Sequence, residues 1–246
     1  MIRLLLSVAL ILAALLSARA DSRTQSFDDF VTPLPVKPGE ALVIGITGGW
    51  DRWDNPVRAI RRTAIAIKRK QLSGVWVETV ENHSLELGVR LVREAHDFNR
   101  DGTLSPEEAG RARIVLFGQS LGGRAVLRFA RVLETMRVPV QFALVVDGYG
   151  RDTYIVPANV RRAANFYQRD HWIVKGARAI RAADPARTQI LFNRRVTYKG
   201  REHTIVASEH YWLKRFFMGA HVLLEYDKEL WDEIERLITE AALAHD

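Results

Sequence analysis

Gly118-Gln119-Ser120-Leu121-Gly122 sets a serine between two glycines at the point where one kind of pattern gives way to another. Residues 113–117 ahead of it are rich in β-branched and apolar side chains, and residues 121–133 behind it carry helical spacing. A chain that passes from strand to helix through one residue crowds that residue's neighbours. Glycines two before and two after it relieve the clash. The serine then projects its hydroxyl above the sheet, with the positive end of the helix behind it favouring developing negative charge. The chemistry this spacing predicts is nucleophilic attack by Ser120. The same five residues would also suit a serine that merely caps a helix between turn glycines, so the surrounding elements decide between the two.

Those elements alternate. Strands are predicted over residues 41–46, 75–80, 113–117, 140–146 and 188–192, with helices over 56–70, 84–95 and 121–133. A helix-like stretch covers 159–168, a hairpin is expected over 194–206, and an amphipathic helix capped by Asp227 closes the chain. Alternation of this kind predicts an α/β fold, a single domain with a mostly parallel sheet and helices on both faces. Ligands of such sheets bind in the loops at the carboxyl ends of the strands.

Taken with the strand and helix that flank it, the Ser120 motif resembles the nucleophile elbow of the α/β-hydrolase family, and the resemblance covers about residues 40–245. The chain is similar to a shortened member, since one predicted strand precedes the loop after residue 46. The resemblance implies a triad in the order serine, acid, histidine. It points to Asp147, at the end of the strand over 140–146, as the acid that holds the base. The commoner acid position lies one strand later and is occupied here by Asn193, an amide that cannot stabilise an imidazolium. Asp152 and Asp184 are the other acids that could serve, and Asp147-Gly148 could also be a plain turn. The family histidine precedes the closing helix, which selects His221, with His210 as the alternative. An oxyanion hole is expected from the N–H of Leu121 and from Gly48 or Gly49 in the loop after the first strand, although these glycines would fit an ordinary turn as well. Trp50, Trp53 and Tyr149 could line an acyl or aryl pocket.

A second pattern lies upstream. In residues 97–108, Asp97, Asn99, Asp101, the Thr103 carbonyl, Ser105 and Glu108 fall at positions 1, 3, 5, 7, 9 and 12 of an EF-hand-like loop, with Gly102 at the reversing position. Hard oxygen donors at alternating positions suit calcium, in a structural role, because the loop feeds the amino end of the strand that leads to Ser120. Gly110 interrupts the exiting helix, so the loop reads as an isolated clip, or else as a solvated Asn-Asp-Gly loop.

The N-terminus adds the setting. Arg3, an apolar run over residues 4–16 and Ala18-Arg19-Ala20 match a signal peptide cleaved after Ala20, which predicts a secreted or periplasmic protein. The apolar run is short for a bilayer span, so no stable membrane anchor is expected after cleavage, an uncleaved anchor being the alternative. Residues 21–39 read as a polar, proline-bearing leader and 40–246 as the catalytic domain. There is no cysteine, so no disulfide supports the core. The net charge of +7 is spread along the chain, with its densest cluster at Arg58, Arg61, Arg62, Lys68, Arg69 and Lys70, read as a solvated helix face; no nucleic-acid partner is expected. The expected activity is hydrolysis of a small-molecule carboxylic ester or thioester, with no redox or nucleotide cofactor. An acyltransferase or peptidase on the same scaffold, or a non-catalytic calcium-binding protein, is the alternative.

Overall fold

Runs of apolar residues without alternation need cover on both faces, and the computed structural model gives them that cover. It describes residues 24–150, 154–170, 174–200 and 219–244. The elements follow in order: β1 (Ala41–Thr47), α1 (Ala59–Arg69), β2 (Val75–Glu81), α2 (Leu85–His96), α3 (Pro106–Gly110), β3 (Arg113–Gln119) and α4 (Leu121–Thr135). Then come β4 (Val140–Val146), β5 (Ile155–Val156), β6 (Val160–Tyr167), β7 (Arg181–Ala182), β8 (Gln189–Arg195), α5 (Ala220–Tyr226) and α6 (Lys228–Leu243). Among the described residues six strands form one sheet in the order β2-β1-β3-β4-β6-β8, every pair parallel, while β5 and β7 pair separately. The α/β class, the single parallel sheet and the helices on both faces are as expected from sequence.

The two faces are sorted by strand alternation. Leu42, Ile44 and Ile46 point to one side and join Leu91, Phe129 and Leu133 of α2 and α4. Ala41 and Val43 point to the other and join Ile60 and Ile67 of α1 with Ile234 and Ile238 of α6. Asp227 caps α6 as predicted, its Oδ1 accepting from Leu230 N at 3.2 Å.

Two expectations need revision. Residues 159–168 are a strand and not a helix, since Val160–Tyr167 forms β6 between β4 and β8. Ala163, Ala164 and two arginines favour a helix locally. Burial of Val160, Ala163, Ala164 and Phe166 between β4 and β8 outweighs that preference. The basic helix is a solvated face only in part, with Arg69 and Lys70 exposed. Arg58 pairs with Asp51 and Glu225, Lys68 with Glu78 and Lys70 with Glu235, while Arg61 donates to Thr79 Oγ1 and lies over the Trp53 ring. Its cations staple α1 to its neighbours. The described part of the leader is tied to the sheet. Gln25 donates to Thr79 O and accepts from Glu81 N, so one side-chain amide occupies the open edge of β2. Glu78 in turn accepts from Val31 N and from Thr32. Beyond β8 the chain runs to the buried Tyr198, and the second half of the expected hairpin, 201–206, lies outside the described residues, as does the signal segment 1–20.

Candidate active site

Between β1 and β3 the path of the chain reverses across the sheet. The connection through α1 leaves β1 on one face for β2, and the connection through α4 leaves β3 on the other face for β4. That reversal is the switch point at whose strand carboxyl ends doubly wound sheets bind ligands. Ser120 stands at that point. Its backbone has φ 59° and ψ −123°, a conformation that L-residues avoid at a cost of about 1–3 kcal/mol. The turn is fixed by three hydrogen bonds: Ser120 N donates to Val146 O at 2.9 Å, and Ser120 O accepts from Arg124 N and Tyr149 N at 3.2 Å each. The glycine spacing has its predicted steric cause, since a Cβ on Gly122 would lie 2.1 Å from Ile46 O.

Asp147 follows the last residue of β4, on the same edge. It is fully buried and has φ 46°. Its carboxylate accepts Gln168 N at 3.0 Å on Oδ1 and Gln168 Nε2 at 3.0 Å on Oδ2. His221 Nδ1 lies 2.6 Å from Oδ2. The ionised carboxylate can only accept, so Nδ1 is the donor and the lone pair of the neutral ring sits on Nε2. His221 is 6% exposed and lies at the second position of α5, directly before the closing helix. The structure therefore joins Asp147 to His221 and joins the Asp147 turn to Ser120 through backbone hydrogen bonds.

The loop after β1 meets the same point from the other side. A Cβ on Gly48 would lie 3.2 Å from Ser120 Cβ and 2.8 Å from Gln119 O, so the backbone at Gly48 can approach the nucleophile only without a side chain. Gly49 has φ 54°, and its carbonyl accepts from Asn82 Nδ2 at 2.5 Å. Leu121 N heads α4 beside them. Arg58 ties this region together: it pairs with Asp51 in the loop after β1 at 2.7 Å and with Glu225 in the His221 helix at 3.0 Å. Trp50 is 77% exposed and stacks at an angle on His83, Tyr149 is also exposed, and Trp53 packs under Arg61.

Asp184 accepts from Ala186 N near the amino end of β8, at the opposite edge of the sheet from Ser120. Asp152 and His210 lie outside the described residues. Asn193 accepts from Ile180 N and from Asn165 Nδ2 and has a structural part. Sequence reasoning missed Gln168 and Arg58. Nothing in the spacing singles out Gln168, which comes to Asp147 through β6. Arg58 was visible only as one charge in a run.

The 97–108 loop is at the other end of the sheet. Asp97 accepts from Asp101 N and Gly102 N, Asp101 Oδ1 accepts from Thr103 N and Oγ1, and Glu108 accepts from Asn99 N and from Ser105 N and Oγ. Gly102 makes the predicted reversal at φ 84°. These hydrogen bonds hold the Asp101 and Glu108 carboxyls below their ordinary values, Thr103 acting most on the first and Ser105 on the second. The donors are hard oxygens, as calcium requires, yet they are engaged by the loop's own N–H groups. Among the described residues no three acidic, histidine or cysteine side chains gather as a metal cluster.

No family model matches the chain, and no curated protein matches its sequence. Among solved structures it is similar to one described as a novel cutinase-like protein from Cryptococcus sp., at 11% identity and a TM-score of 0.44 over 83% of this chain and 95% of that one. A likeness that distant transfers no residue and no activity. Among the described residues no helix is long and apolar enough to cross a membrane.

Proposed function

We propose that the chain is an exported serine hydrolase of the α/β-hydrolase type that cleaves a carboxylic ester or thioester. One observation carries the reading: a serine held in strained backbone at the reversal point of a parallel sheet, hydrogen-bonded through its main chain to the turn that bears a buried Asp147–His221 pair. In this reading Ser120 Oγ attacks the acyl carbon and its proton passes to His221 Nε2. Asp147 keeps Nδ1 protonated and stabilises the imidazolium. The N–H of Leu121 and that of Gly48 or Gly49 receive the oxyanion, in backbone that is already in place before reaction. The alcohol or thiol departs with the proton from Nε2, and water, activated by the same nitrogen, releases the acid and regenerates Ser120.

A fluorophosphonate probe and p-nitrophenyl butyrate test the reading together. The folded protein is expected to be labelled at Ser120 and to turn over the ester, and Ser120→Ala to lose both. Folded protein that takes no label and hydrolyses no ester overturns it.

A calcium clip at residues 97–108 is a separate proposal, supported by the donor order and by Glu108 closing the loop back onto Asn99. Asp97, Asn99, Asp101, Thr103, Ser105 and Glu108 would hold the ion, which would supply local stability and no step of the reaction. The ion would compete with loop N–H groups, so a weak affinity, about 0.1–1 mM as in extracellular modules, is expected. Millimolar calcium should raise the melting temperature and chelator reverse it, with Glu108→Gln abolishing the shift. An unchanged melt overturns the proposal.

A further inference from the structure

On the Asp147 side of Ser120 the surface opens into a groove of about 510 Å3 bordered by Gly148, Tyr154, Arg169, Lys175, Arg178 and Arg181. No acidic side chain is among the described residues that line it. It begins beside the nucleophile's turn: Gly148 lies against Gly123 of α4, and Tyr149, next in the chain, donates its N–H to Ser120 O.

The segment that carries these cations is built rigidly. Gly176 N donates to Gln168 O and Ala177 N to Gly148 O. The fully buried Asn165 donates to Ala177 O, and Asn193 both accepts from Ile180 N and donates to Ile180 O. Two strands thus spend amide side chains to hold one loop. Several arginines and lysines elsewhere pair with carboxylates, among them Arg58, Lys70, Arg194 and Arg195. Among the described residues, the ion pairs engage none of Arg169, Lys175, Arg178 and Arg181, although Arg169 donates to Gly176 O. A cleft with one sign of charge on a fixed frame concentrates ligands of the other sign.

We infer that this groove binds an anionic oxyacid group, a carboxylate or phosphate, carried by the substrate, so that the enzyme prefers anionic esters over neutral ones. The inference rests on the hydrolase reading for its site and on the groove for its charge. Arginine matches the two oxygens of such a group in a planar fork, and lysine adds a point charge. The volume is that of an ordinary small-molecule site.

Turnover of p-nitrophenyl butyrate is to be compared with mono-p-nitrophenyl glutarate, anionic on the acyl side, and with 4-acetoxybenzoate, anionic on the leaving group. One of the two anionic esters should exceed the neutral one in kcat/KM by about tenfold or more at low salt, and the ratio should fall as salt rises. Lys175→Ala with Arg178→Ala should bring the ratio towards one. Equal kcat/KM for all three, or a ratio that the double variant leaves in place, overturns the inference. Calorimetry with glutarate and with inorganic phosphate on Ser120→Ala protein separates this outcome from failure of the hydrolase reading. Saturable binding lost in the double variant supports the groove even if no ester turns over. No binding of either anion by folded protein overturns it.

Discussion

Asp147 places two of its three side-chain hydrogen bonds on Gln168 and the third on His221. A carboxylate with no exposure cannot turn to water for a substitute, so removing the Gln168 amide leaves part of a buried charge unsatisfied, worth about 1–3 kcal/mol. Gln168→Leu is therefore expected to lower kcat by about 10- to 100-fold with KM little changed, because the loss falls on the orientation of the base. Steady-state kinetics on p-nitrophenyl butyrate check it, and an unchanged kcat would assign Gln168 to folding alone. Asp147→Asn should be more severe, by about 10^4 in kcat, since an amide holds His221 in the wrong tautomer.

At the scale of elements, the site is where β1, β3 and β4 end and where α5 returns to meet them. Two staples hold α5. Arg58 joins Glu225 of α5 to Asp51 of the loop after β1, with its side chain about 11% exposed. Removing it strands two half-buried acids, and Arg58→Ala should cost about 3 kcal/mol and lower kcat/KM, while Arg58→Lys should recover part of both. Thermal melts and kinetics on the three proteins check this. The second staple is Asp227, which caps α6 through Oδ1 and accepts the buried Tyr198 hydroxyl at 3.0 Å through Oδ2. Asp227→Ala should lose about 1–2 kcal/mol and Tyr198→Phe less, because the aspartate keeps its cap in the second case. Chemical denaturation of both variants tests the order.

For the whole molecule, acid is the sensitive direction. Burial opposes ionisation of Asp170, but Tyr198 N–H, the Thr197 hydroxyl and Arg195 together outweigh it and hold the carboxyl below its ordinary 3.8. A carboxyl lowered in the folded state stabilises the fold above its unfolded value, and that stability disappears as pH falls through the lower folded value. Asp101 and Glu108 act in the same sense. Unfolding free energy should thus drop below about pH 4, and Asp170→Asn should be less stable at neutral pH with a shallower acid slope. Denaturant titrations at pH 7, 4 and 3 measure both. The sequence by itself determined the α/β class, the strand-to-helix turn at Ser120 and the cap at Asp227, because alternation, glycine placement and capping are local and leave local marks. Only the tertiary structure decided that Val160–Tyr167 is a strand, that Arg58 staples the start of the basic helix to Glu225, and that Gln168 reaches Asp147. Those outcomes depend on neighbours brought from dozens of residues away, whose burial and charge outweigh what each segment prefers alone.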